Sequence, residues 1–241
     1  MISIEACIHC DARDSMIQSV RAAHSGGAAR IELCADMSVN GLTPSDEFIS
    51  AARQYFTRPG LLVMIRPRAG NFCYDQIDLQ KIRSQIEMAA DCGADGIVLG
   101  ILQQDYKIDL AALKLLIDLA KNQKLKVTFH RAFDATPNKI DALEKLIELG
   151  IDRVLTSGTK WGDGRSAIEG VQQIIEFIKR ARDQIEIVIG GGVAPENAEE
   201  IVAALPTQFS RVSLHAYSGI RKNGLTDAEL VGSLAKAAVS L

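Results

Sequence analysis

A short apolar run, a polar turn and an amphipathic helical stretch follow one another eight times along this chain. Few folds accommodate that rhythm. Hydrophobic periodicity predicts strands over 2–7, 28–34, 61–66, 95–99, 125–130, 152–156, 185–190 and 211–215. It predicts helices over 12–24, 45–56, 76–92, 109–121, 138–149, 166–181, 195–204 and 227–239. Strands that alternate with helices pair in parallel through right-handed crossovers. Eight such units in 241 residues close most simply into an α/β TIM (β/α)8 barrel. An open doubly wound sheet is the competing arrangement, but no strand runs through a G-x-G-x-x-G turn into a helix. No linker, charge block or low-complexity segment divides residues 1–241, so one domain is expected.

Residues at the predicted helix ends fit this phasing. Gly26-Gly27, Gly93 and Gly150 suit left-handed turns after the first, third and fifth helices. Thr43-Pro44 and Thr136-Pro137 each offer a cap followed by a first-turn proline. Thr226 with Glu229 fits a capping box before the last helix.

Function in such a barrel sits at the carboxyl ends of the strands. The first strand brings Glu5 and Cys7 there, the second Glu32 and Cys34, the third Arg66 and Arg68. The fifth brings His130, Arg131 and, after a turn, Asp134; the sixth runs into Ser157-Gly158. The seventh runs into Gly190-Gly191-Gly192, and the eighth brings His215. Strand alternation turns Glu5, Glu32, Arg66, His130 and His215 towards the barrel mouth.

Composition excludes some function classes. A formal net charge of −3 argues against a general nucleic-acid binder. No apolar run approaches the ~20 residues that span a bilayer. The N-terminus shows no basic region followed by an apolar run, so no signal peptide is expected. Five cysteines in a chain of this length fit reduced thiols in the cytoplasm better than a disulfide framework.

Several runs resemble the CutC family: Glu5-Ala6-Cys7, Arg30–Cys34, Gly41–Ser45, Ile65–Arg68, Thr128–Asp134 and Arg153–Gly158. The resemblance extends from Glu5 to about Gly192 and rests on unusual runs in a consistent order. It implies a TIM barrel, a cytoplasmic protein, homo-oligomers, and binding of monovalent copper by Cys7 and Cys34.

Three chemical readings follow. In the first, Cys7 and Cys34 hold Cu(I), because soft thiolates select it and neighbouring strands lie ~4.8 Å apart. The bland counterpart is two small buried core residues. His9 and Cys10 complete a C-x-x-C with Cys7, although they read more simply as the start of a loop and helix. Cys73 and Cys92 read as structural. In the second, the barrel is an enzyme for a small anionic or phosphorylated metabolite. Arg66, Arg68, Ser157, Gly158 and Gly190–Gly192 form the anion site, and Glu5, Glu32, His130 and Asp134 supply acid–base groups. Its bland counterpart is a buried ionic network filling the barrel top. In the third, the protein is a scaffold or oligomer, with Trp161 as an interface anchor, a lid or a buried loop anchor.

Overall fold

The apolar runs form a closed barrel in the computed structural model, which describes residues 2–208 and 210–238. Its strands are β1 (Ser3–His9), β2 (Arg30–Cys34), β3 (Leu61–Met64), β4 (Gly96–Leu99), β5 (Lys126–Phe129), β6 (Arg153–Thr156), β7 (Glu186–Ile189) and β8 (Val212–Ala216). Each pairs in parallel with the next, and β8 closes on β1. The helices are α1 (Arg13–Ser25), α2 (Asp46–Tyr55), α3 (Gln76–Asp91), α4 (Leu110–Asn122), α5 (Lys139–Glu148), α6 (Val171–Ala181), α7 (Pro195–Ala203) and α8 (Ala228–Ala237). This is the TIM barrel the rhythm predicts. Residue 239, the end of the last predicted helix, lies outside the described residues. Among the described residues, no helix is long and apolar enough to cross a membrane.

Alternation explains the two faces of each strand. On β1, Ile4, Ala6 and Ile8 turn outward and join Ile31 and Leu33 of β2 beneath the helices, where Met16, Val20 and Ala23 of α1 cover them. Each fully buried Ile, Leu, Val or Met side chain among them contributes about 1.5–3 kcal/mol. The opposite face of each strand lines the bore. Cys7, Cys34, Leu62, Met64 and Val98 form a small separate apolar cluster there.

The helix stops are as predicted: Gly27, Gly93 and Gly150 take left-handed φ of +90°, +84° and +68°. Several starts are not. Ser45, not Thr43, is the N-cap of α2. Thr43 instead joins strands to a helix, because its Oγ1 accepts from the Arg66 N–H at 2.8 Å and donates to Gln85 at 2.9 Å. Asn138 caps α5 in place of Thr136, whose hydroxyl donates to the Phe133 carbonyl. Asp227 caps α8, displacing the Thr226–Glu229 box. The short carboxylate or amide nearest the first turn wins in each of these last two cases. The helix predicted over 166–181 begins only at Val171, after a turn at 167–170. After β8 come a 3₁₀ turn (Ser218–Ile220) and a two-residue hairpin, β9 (Arg221–Lys222) and β10 (Leu225–Thr226), which periodicity does not reveal.

The amino-terminal end of the bore is sealed by charge. Arg30, Arg153 and Glu186 are the first residues of their strands. Arg30 reaches Glu5 at 2.9 Å, Glu186 at 2.6 Å and the Ser213 hydroxyl at 2.7 Å. Arg153 donates to Thr128 at 2.9 Å. The expectation for Glu5 is thereby corrected: it points into the bore, but into this ionic floor rather than the mouth. In the register of β1 on β2 it stands beside Arg30, and Cys7 beside Glu32.

Candidate functional site at the carboxyl ends of the strands

The strand ends and their loops enclose a cavity of about 220 Å³ above that floor. β1 and β2 contribute Cys7, Glu32 and Cys34, and β8 contributes His215. Met64 ends β3, and Arg66 follows it. His130 and Arg131 follow β5, and Gly191-Gly192 follow β7. Loop residues Met37, Asn40, Phe72, Trp161, Tyr217 and Ser218 complete the wall.

One side of the cavity is a thiol pair beside an ion pair. The sulfurs of Cys7 and Cys34 are 3.8 Å apart, and both residues are only 1% exposed. One Glu32 oxygen lies within 4.8 Å of both sulfurs. Glu32 Oε2 meets His215 Nε2 at 2.7 Å, while Glu32 Oε1 is buried without a partner. The hydrogen bond shared with Cys34 lowers the Cys7 pKa, and it outweighs burial with support from His215. Cys34 moves upward through the same bond and through burial. Burial opposes a charged His215 ring, yet Glu32 and Cys7 hold its pKa well above the ordinary histidine value. Two thiols that share one hydrogen bond thus stand beside a buried carboxylate–imidazole pair.

The other side carries two arginines, a neutral histidine and aromatic rings. Arg66 is 3% exposed and pairs with no carboxylate among the described residues. Its guanidinium donates to the Val39, Gly41 and Gly70 carbonyls at 2.6, 2.9 and 3.0 Å, and its Nε stays buried and unpartnered. It stacks on Phe72, whose ring packs in turn against His130 and Trp161. His130 is pushed down to about 3 by burial and by Arg66. Its Nδ1 accepts from the Ala132 N–H at 3.1 Å, which places the ring proton on Nε2, a buried donor with no partner. Arg131 lies over Trp161 and is held by Asp134 and Ser157 at 2.8 and 2.7 Å.

The structure thus divides the predicted site residues. Cys7, Cys34, Glu32, Arg66, His130, Gly191 and Gly192 line one cavity. Glu5, Arg68, Asp134, Ser157, Gly158 and Gly190 do not. Arg68 leaves the mouth for Asp78 and the Cys73 carbonyl. Asp134 is fully buried and accepts from Arg131, Thr156 and Ser157, so it ties loops together. The Ser157 and Gly158 N–H groups are spent on Asp134 and the Thr156 hydroxyl. A Cβ on Gly158 would lie 2.3 Å from the Gly170 carbonyl, and one on Gly190 would meet Leu155 at 2.8 Å; both glycines serve close packing. Cys10 joins the outer core, donates its backbone N–H to the Cys34 carbonyl at 2.8 Å, and has its pKa raised by burial and by Cys7. Cys73 donates to the Gln103 carbonyl, and Cys92 is half-buried at the end of α3. Trp161 is a half-buried wall of the cavity. Sequence places Arg131 at this end of the barrel but gives it no role in the site, and it singles out neither Phe72 nor Tyr217.

Comparison with known proteins agrees on one family. The model of the CutC family matches residues 2–215. A CutC family protein of Pasteurella multocida is 41% identical over 201 residues, covering 83% of this chain and 77% of that protein. One from Aliivibrio fischeri is 38% identical over 201 residues, with the same coverage. The crystal structure of a CutC protein from Streptococcus agalactiae, named for copper homeostasis, superposes with a TM-score of 0.79 at 31% identity. It covers 89% of this chain and 98% of that one. The thiamine phosphate pyrophosphorylase of Pyrococcus furiosus superposes at 0.64 with 16% identity over 98% of this chain and 95% of that one, a likeness of fold alone.

Proposed function

This chain belongs to the CutC family, and on that premise we propose that it serves copper homeostasis in the cytoplasm by binding Cu(I) between Cys7 and Cys34. The observation that carries this reading is the 3.8 Å separation of the two sulfurs at the edge of the cavity. Two thiolates each about 2.3 Å from a shared ion, at angles between tetrahedral and trigonal, stand roughly 3.8–4.0 Å apart. Soft sulfur ligands select Cu(I) over hard divalent ions. The hydrogen bond with Cys34 lowers the Cys7 pKa, which eases loss of its proton to an incoming cation. Glu32 is close enough to add its charge.

A harder metal has a poorer choice. Glu5, Glu32 and His215 also converge, but Glu5 is engaged by Arg30 and His215 holds its proton against Glu32. The relative named for copper homeostasis supports the same reading.

The test is a competition titration of the reduced protein with Cu(I) against a chelator, comparing wild type with Cys7→Ser/Cys34→Ser. Wild type is expected to take up one equivalent tightly, and the double variant to lose that uptake. Stoichiometric binding that survives both substitutions would remove the site from consideration.

A further inference from the structure

We infer that the arginine side of the cavity seats the oxyanion group, phosphate or carboxylate, of a small metabolite that also carries a hydroxyl or amine. This site shares the cavity with the thiol pair and does not depend on a metal there.

Three buried polar atoms of cavity-lining residues have no partner: Arg66 Nε, His130 Nε2 and Glu32 Oε1. Buried polar groups are almost always satisfied, so three around one cavity call for an explanation. The first two are donors and the third an acceptor. A ligand that answers all three must accept on one side and donate on the other. An oxyanion and a hydroxyl or amine do this; an apolar molecule does not.

Charge points the same way. A buried arginine with no counter-charge is costly to fold around. Arg66 spends its terminal nitrogens on neutral carbonyls, and no carboxylate pairs with it among the described residues. Arg131, the other arginine on this side, is paired with Asp134 at 2.8 Å, and the His130 ring carries no charge. The uncompensated charge on this side is therefore positive, and an anion would balance it.

Shape agrees. Gly191 and Gly192 line the cavity with φ of +106° and +75°, and bring bare backbone to its edge. A Cβ on Gly191 would stand 3.6 Å from Arg131 Nη1 and 2.9 Å from Ser157 Cβ. Glycine-rich turns after the seventh strand are a recurrent oxyanion position in this fold. The volume of about 220 Å³ holds several waters at ~30 Å³ each, enough for a three- or four-carbon metabolite.

Trp161 is the single tryptophan of the chain and a wall of this cavity, so its emission reports occupancy. The reduced, metal-free protein is titrated with inorganic phosphate, glycerol 1-phosphate and glycolate, with chloride as control, following Trp161 emission and melting temperature. At least one oxyanion is expected to saturate at millimolar concentration where chloride does not, and the phosphate and carboxylate arms tell the two groups apart. Arg66→Met and His130→Leu are each expected to weaken that binding at least tenfold, about 1.4 kcal/mol. His130→Gln keeps an N–H near the Nε2 position and should retain most of it. If Arg66→Met fails to fold, His130→Leu against His130→Gln decides. Absence of saturable binding by all three oxyanions, or undiminished binding in His130→Leu, would each overturn the inference.

Discussion

His130 shows how one side chain can couple the cavity to pH. Its imidazole is neutral in the fold, with a pKa near 3, against about 6.5 in an unfolded chain. Below pH ~6.5 the unfolded state binds a proton that the folded state refuses, so stability falls as pH drops towards 3. The full effect is on the order of a few kcal/mol. His215 has the opposite sign: its folded pKa is raised, so its contribution is complete below ~6.5 and fades as pH climbs through the folded value. Denaturant melts of His130→Gln are expected to show a shallower loss of stability between pH ~6.5 and ~4 than wild type, by up to one proton's slope. An unchanged slope would mean that His130 titrates normally. Sequence shows these histidines turning inward, because alternation assigns a face. It does not show their height in the bore. Neighbouring barrel strands are staggered, and two residues along a strand amount to ~6.6 Å. Glu5 and Cys7 share a face, yet one belongs to the floor and the other to the cavity.

Among the elements, the connections after β5 and β6 show how loops are made rigid enough to hold a site. The 3₁₀ turn Arg131–Ala135 carries Asp134 inward, where it receives hydrogen bonds from its own turn and from the end of β6. Removing a buried, paired carboxylate leaves its donors stranded, at a cost of about 3–5 kcal/mol. Asp134→Ala is therefore expected to lower the denaturation midpoint sharply, and to weaken ligand binding only through Arg131. Normal stability with abolished binding would instead make Asp134 a member of the site. The eight strand–helix units were legible because apolar spacing over ten or more residues averages out local exceptions. Helix starts were not, because Thr43 and Thr136 found partners elsewhere in the fold that no local pattern specifies. Phe72 and Tyr217 escaped for the same reason: loops owe their course to tertiary bonds such as those from Arg66 to three carbonyls.

For the molecule as a whole, the ionic floor is the feature that departs most from an aliphatic barrel interior. Arg30 joins Glu5 on β1, Glu186 on β7 and Ser213 on β8, so one side chain spans the seam where the barrel closes. Arg30→Met strands two carboxylates and should destabilise the protein by about 3–5 kcal/mol, with a lower melting temperature and an unchanged Cu(I) stoichiometry. A melting temperature equal to wild type would show the floor to be dispensable. The seam also has a consequence for traffic. A vessel stoppered at its base has no through-route, so whatever enters must retrace its path. A donor that loads such a vessel and an acceptor that empties it would press on the same footprint. They would therefore exclude one another and visit in turn, rather than meet across the protein.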